Sequence, residues 1–201
     1  MLQELEVLLE QLNYIPASVF TTDLPYIDFL DRVHKAELKL RVKGLWEVPH
    51  PWLNLFVPKS RIADFDQGVF KGILVNKTSG PILIYPMNKN KLNENTSVVT
   101  PDEEVFYLVA LLRSALPDGD VTRTLDYLTN QNNQILRFCD EEGIKIKQYL
   151  PHYTTQQEWI NHFGPKWSQF YQRKKEFDPR HILATGQRIF KPSYDENLVT
   201  W

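Results

Sequence analysis

A single cysteine among 201 residues, Cys139, excludes a disulfide framework, and its place on an apolar helical stripe marks it as packing rather than a nucleophile. Long apolar runs are lacking too. The longest, Val105 to Leu112, is closed by Arg113 and is far too short to span a bilayer. The first residues carry Glu4, Glu6 and Glu10 instead of a basic lead and an apolar centre, so no secretory leader is written in them and no membrane partner is expected. No compartment is assigned. Charge of one sign is not in excess: 23 Lys and Arg face 25 Asp and Glu without long like-charge blocks. The basic stripe of a nucleic-acid binder is missing, and no nucleic-acid partner is expected. The five histidines have no close metal-ligand spacing, no serine sits in a nucleophile elbow and no glycine-rich loop cradles a phosphate. Metal, hydrolase and kinase readings therefore fall away. What is present, 42% hydrophobic and 24% charged residues, is the balance of a globular chain large enough for one substantial core.

Leu2, Leu5, Leu8, Leu9 and Leu12 fall on a 3.6-residue stripe that predicts an N-terminal helix, broken by Pro16. An abrupt start on an amphipathic helix reads as a cut through a longer protein rather than a domain edge. Tyr26, Phe29, Leu30 and Val33 recur at helical spacing after Pro25. Leu38 and Leu40 then fall among Lys35, Glu37, Lys39, Arg41 and Lys43, a stretch expected to be a solvated, partly mobile linker.

From Trp46 onward the order becomes regular. A strand over 47–58 precedes a helix from Ser60 whose buried stripe is Ile62, Phe65, Val69, Phe70 and Ile73. Gly80-Pro81 turns the chain into a short strand, Ile82 to Met87. Glu104 to Arg113 carries conflicting signals: Thr100-Pro101-Asp102-Glu103 resembles a helix start, whereas the aromatic and β-branched opening favours a strand, which is the reading adopted. Leu125, Leu128, Ile135, Leu136 and Cys139 form a helical stripe ending at Gly143, and Ile144 to Leu150 alternates as a half-buried strand. The order β-α-β-β-α-β predicts an α+β, ferredoxin-like fold: an antiparallel sheet with both helices on one face and the last strand beside the first. Tyr149 and Leu150 would then approach the start of the first strand. Beyond it, the capping box Thr155-Gln156-Gln157-Glu158 opens an aromatic-rich helical segment carrying Trp159, Phe163, Trp167, Phe170 and Tyr171. It has too few apolar residues for its own core and is expected to pack on a body outside this chain.

His50-Pro51-Trp52-Leu53-Asn54-Leu55-Phe56-Val57-Pro58 is the most informative stretch, because strand alternation divides it into two chemically different faces. Leu53, Leu55 and Val57 make one side aliphatic. Trp52, Asn54 and Phe56 make the other, an indole plate beside an amide that both donates and accepts, suited to a flat heteroaromatic ring with polar edges such as adenine.

Several long motifs in a fixed order carry a resemblance: Gly44-Leu45-Trp46 through Trp52-Leu53-Asn54-Leu55-Phe56-Val57-Pro58, Phe70-Lys71-Gly72-Ile73-Leu74, Gly80-Pro81-Ile82-Leu83-Ile84-Tyr85-Pro86-Met87-Asn88, Tyr149-Leu150-Pro151-His152-Tyr153 and Gly186-Gln187-Arg188-Ile189-Phe190. Together they resemble the plant cytokinin dehydrogenases, also called cytokinin oxidases, over nearly the whole chain. The resemblance implies a substrate domain over residues 1–153, truncated at its N-terminus, and a segment over 154–201 that returns to complete an FAD-binding domain. It implies FAD-dependent oxidation of N6-isoprenoid adenine cytokinins to adenine and an aldehyde, with oxygen or another electron acceptor, in a protein whose full-length form is a monomer. Trp52, Asn54, Leu150 and Val33 match substrate-cavity positions, and Tyr149 and Gln187 match flavin contacts. Read without the resemblance, Trp52 is a core aromatic, Tyr149 a strand aromatic and Gln187 a turn residue. The family's catalytic aspartate and flavin-linked histidine match nothing here. Neither a catalytic base nor a covalent FAD attachment site is therefore expected in this chain, which is expected to be inactive alone. The alternative expectation is a non-catalytic truncated paralogue that acts as a binding or interaction module.

Overall fold

The computed structural model describes residues 2–12, 14, 15, 17, 20–75, 80–183, 189 and 190. They belong to two compact units, Met1–Glu47 and Val48–Trp201. The first holds α1 (Leu2–Gln11), α2 (Tyr26–Leu30) and α3 (Arg32–Val42). Helix α3 replaces the linker expected over residues 35–43. Leu, Lys, Arg, Glu and Ala are all strong helix formers, Glu37 and Arg41 pair at 2.7 Å one turn apart, and Lys39 and Arg41 meet the negative end of the helix dipole. The charge run is thus the solvated surface of a helix. No residue of α2 or α3 is buried; Tyr26 stacks on Phe29, whose other neighbour is the Arg32 guanidinium 4.1 Å from the ring centre.

The second unit contains β1 (Leu53–Pro58), β2 (Ile82–Asn88), β3 (Val105–Leu111) and β4 (Lys147–Gln148) in the order β2-β3-β1-β4, every neighbour antiparallel. This is the ferredoxin-like order, and the contested stretch before Arg113 is indeed a strand. The helix expected from Ser60 is less regular: a 3-10 turn over Lys59–Arg61 leads into α4 (Ile62–Phe65), which widens into a π-helical stretch, Asp66–Leu74. Ser60 does not cap it. Its N–H and hydroxyl instead donate to the Glu103 carboxylate, and those hydrogen bonds hold that carboxyl below its usual range.

Helix α5 (Leu125–Glu141) starts on Thr124, whose hydroxyl accepts from the Tyr127 N–H. It ends where Gly143, at φ 64°, lets the Ile144 N–H reach back to the Cys139 carbonyl at 2.8 Å. Leu53, Leu55 and Val57 of β1 pack with Phe65, Val69 and Leu74 of the first helical segment and with Ile135 and Cys139 of α5. Both helical segments therefore cover one face of the sheet, the face that carries the aliphatic half of β1. Burial pushes the Cys139 thiol up to about 12, in keeping with packing rather than reactivity.

Helices α6 (Gln156–Phe163) and α7 (Trp167–Phe177) follow. The capping box forms: the Thr155 hydroxyl accepts from the Glu158 N–H, and the Glu158 carboxylate accepts from the Thr155 N–H at 2.9 Å. Counting apolar residues underrated this segment. Large rings supply far more buried area per residue than aliphatic side chains, and Trp159, Phe163 and Phe190 are buried in a cluster in which Phe163 stacks on Phe170 with centroids 4.3 Å apart. Lysine and arginine tie it to the loop before β3, Lys166 donating to the Thr96 and Val98 carbonyls and Arg173 to that of Asn95.

His162 lies in this cluster beside Tyr153, Trp159 and Phe163, and burial, then the nearby Lys147 cation, pushes its imidazole below the ordinary value of 6.5. On unfolding it takes up a proton more readily. The stability it lends is thus complete above its unfolded value and lost as pH falls through the folded one. The carboxyls held low, Glu103, Asp120, Glu158 and Asp178, lose their contribution only at more acid pH. A thermal melt series from about pH 7.5 to about pH 5 is expected to show a falling midpoint that His162→Gln flattens.

Candidate functional site

Because Leu53 and Leu55 point into the core, their neighbours Trp52 and Asn54 stand on the side away from the helices. Trp52 remains 48% exposed, with the His50 ring 5.8 Å away. The half-buried Asn54 carboxamide has no hydrogen-bond partner among the described residues. A carboxamide in that state retains donors and an acceptor for something not in the chain. The Asn54 carbonyl accepts the Tyr149 N–H at 2.8 Å, so the end of the last strand does lie against the start of the first.

Phe56, expected on the open face with Trp52 and Asn54, is buried there instead. Its ring packs 4.9 Å from Phe106 and 5.2 Å from Tyr149, filling the space between β3 and the chain after β4. Its effect is to seat Tyr149. The strand expected over 144–150 pairs only at Lys147–Gln148, and Leu150, at φ 53°, turns the chain out of the ladder. That left-handed conformation is costly for a branched aliphatic residue. It takes the Leu150 peptide groups off the sheet edge, where they make no hydrogen bond among the described residues. A cavity of about 230 Å³ opens beside it, lined among others by Ser97, Val98, Tyr149, Leu150, Trp159 and Phe163.

Trp52, Asn54, Tyr149 and Leu150 thus converge on one end of the sheet. Val33 belongs to the other unit, exposed on α3, and Gln187 lies outside the described residues. Three residues that support this end escaped the sequence reading: Arg113, Ser114 and Asn132. Arg113 is 1% exposed at the end of β3, and its guanidinium donates to Gln131, Asn132 and the Leu128 carbonyl. The one available signal was a cation abutting a wholly apolar strand.

For FAD, these residues offer an aromatic flank at Tyr149 and little else. The N-termini of α5 and α6 are closed by Thr124 and by the Thr155–Glu158 box, so neither presents free N–H groups to a pyrophosphate. Neither of these two N-termini therefore fits a pyrophosphate. No group of three His, Cys, Asp or Glu able to hold a metal occurs among them, and none of their helices is long and apolar enough to cross a membrane.

A family model described as "Cytokinin dehydrogenase 1, FAD and cytokinin binding" matches residues 1–190. The chain is 74% identical over 189 residues to cytokinin dehydrogenase 5 of Arabidopsis thaliana, 65% identical over 190 residues to cytokinin dehydrogenase 5 of Oryza sativa subsp. japonica, and 56% identical over 189 residues to cytokinin dehydrogenase 1 of Arabidopsis thaliana. Each alignment takes in 94% of this chain but only 35%, 36% and 33% of the respective relative, so the chain spans about a third of their length.

Proposed function

The chain belongs to the cytokinin dehydrogenase family of oxidoreductases, and from that premise we propose that it supplies the adenine-facing wall of an FAD-dependent enzyme acting on N6-isoprenoid adenines. The whole protein would oxidise the side-chain secondary amine to an imine, which water cleaves to adenine and an aldehyde, with oxygen or another acceptor taking the electrons. FAD, when bound, supplies the oxidising capacity. Residues 1–153 then serve as the substrate part and 154–201 as the segment that completes the flavin part.

What this chain contributes is placement. The Trp52 indole offers a plate for one face of the purine, and the Asn54 carboxamide matches a ring edge that alternates donor and acceptor. The freed peptide groups of Leu150 offer a second polar contact and Tyr149 and Gln187 flank the flavin, while Val33, on the other unit, is kept as a substrate position on the family resemblance alone. The observation that carries the reading is the Asn54 carboxamide, unpartnered among the described residues, beside a half-exposed indole on the sheet face opposite the one packed on α4 and α5. With the N-termini of α5 and α6 closed, and with no match to the family's catalytic base, the chain by itself is proposed to bind substrate without turning it over.

Titrating N6-isopentenyladenine into the purified 201-residue chain, followed by protein-observed NMR, tests both halves. Saturable shifts centred on Trp52, Asn54 and Leu150 are expected, with no release of adenine when FAD and an electron acceptor are added. Shifts elsewhere, or none, would overturn the site; adenine release would overturn the inactivity.

A further inference from the structure

Trp52 is useful to a ligand only if its ring is presented from one place, and the structure shows how the peptide that carries it is held. The peptide joining Pro51 to Trp52 is fixed at both ends: its carbonyl accepts from the Asn132 side-chain amide at 3.0 Å, and its N–H donates to the His50 carbonyl at 2.8 Å. Pro51 has no N–H, so its carbonyl is the one main-chain handle it offers. The stretch just before it is tied to the end of β3. The Ala115 N–H donates to the Pro49 carbonyl at 2.8 Å, and His50 Nδ1 lies 2.9 Å from the Ser114 hydroxyl.

Asn132 can hold Pro51 only in one orientation of its amide, and Arg113 selects it. The guanidinium donates to Asn132 Oδ1, which turns Nδ2 towards Pro51; the flipped amide would set donor against donor and acceptor against acceptor. Arg113 and Gln131 are both buried, and no carboxylate pairs with the guanidinium among the described residues. A buried cation compensated only by neutral dipoles orders those dipoles strongly, because each lost acceptor leaves charge unsolvated. Burial lowers the Arg113 pKa from its ordinary value, against a smaller opposing effect of Tyr127.

We propose that Arg113, acting through Asn132 and the Pro51 carbonyl, is a positioning residue that orients the indole of Trp52 for its ligand. This rests on the reading of Trp52 as a purine plate, but the relay itself can be tested without any ligand. Asn132→Asp keeps an oxygen towards the guanidinium and replaces the donor facing Pro51 by a second oxygen, so it separates folding from positioning. In the full chain labelled with 5-fluorotryptophan, the resonance missing from Trp52→Phe identifies position 52.

The thermal midpoint of Asn132→Asp is expected to hold or rise, because Arg113 gains a counter-charge. The position-52 resonance is expected to shift or broaden, and the affinity for N6-isopentenyladenine to fall about tenfold, part of what a displaced stacking indole contributes. Should that variant not fold, Asn132→Ala removes the Pro51 bond while Gln131 and Leu128 still hold Arg113, and the same two changes are expected. An unmoved resonance at position 52 in a folded variant would overturn the relay, whatever the affinity does. A wild-type chain that binds no isopentenyladenine, with the resonance still moved by the variant, would overturn the purine reading and leave the relay standing.

Discussion

Replacing Trp52 with alanine is expected to weaken binding of N6-isopentenyladenine by about 100-fold, the usual effect of removing a tryptophan on which a ligand stacks. The same change should lower the thermal midpoint by only about 2–4 °C, corresponding to roughly 1 kcal/mol in a chain of this size. The asymmetry follows from position. Trp52 precedes β1 and keeps 48% of its surface exposed, so folding gains little from it, whereas Leu55 one pleat on is wholly buried and would show the reverse. Leu55→Ala is the control, expected to cost about 2–5 kcal/mol of stability. Isothermal titration calorimetry and thermal melts on the two variants decide it. A Trp52→Ala protein that binds normally, or melts as low as Leu55→Ala, would make the indole a structural residue after all.

Asn54 sharpens the same argument. A leucine, which keeps the branched outline of the side chain, is expected to leave the sheet in place, because no described group depends on the carboxamide. Any loss of affinity in Asn54→Leu would then measure the polar edge of the ligand rather than the shape of the ledge. The two positions thus report separately on the face of the bound ring and on its rim.

Local chemistry made much of this site legible beforehand. The period-two pattern at Leu53, Leu55 and Val57 set which way Trp52 and Asn54 face, since a slip of one residue would bury an amide and an indole among aliphatics. The element order then set that Tyr149 meets Asn54, a consequence of topology alone. What escaped was whatever depends on a partner distant in sequence. Phe56 has the same parity as Trp52 and Asn54, yet it is buried because Phe106 and Tyr149 close over it. Arg113 reads as a strand terminator until Gln131 and Asn132 of α5 arrive to solvate it. The charged run from Lys35 to Lys43 failed for another reason: polarity shows that a stretch is solvated, not whether it is helical, and intrinsic helix propensity decided the matter.

A second large loss of stability is expected from Gly68→Ala. Glycine is a poor residue for a helical interior, and on propensity alone the alanine would gain about 1 kcal/mol. Packing reverses the sign. A Cβ at position 68 would fall 1.9 Å from Cζ of Phe138 and 2.4 Å and 2.5 Å from the adjoining ring carbons, where non-bonded carbons settle no closer than about 3.5 Å. Phe138 is on α5 and packs, partly buried, against the core, so its ring withdraws only by giving up that packing. The two helical segments must part or the ring must leave its place, and the expected cost is about 3 kcal/mol, seen as a midpoint lowered by roughly 6–12 °C.

Shortening the opposing ring supplies the decisive comparison. Phe138→Leu alone is expected to destabilise by leaving a cavity beside Gly68, but combined with Gly68→Ala the new methyl occupies part of that space. The double variant should therefore be more stable than the sum of the single losses by more than about 1 kcal/mol. Additive losses, or a Gly68→Ala protein that melts like the wild type, would show that the glycine is not there to admit the ring. The seat matters beyond stability, because α5 also carries Asn132, six residues before Phe138 and bonded to Pro51. A helix lifted off Gly68 would carry that amide with it, so Gly68→Ala is expected to disturb the setting of Trp52 as well, without touching the ligand.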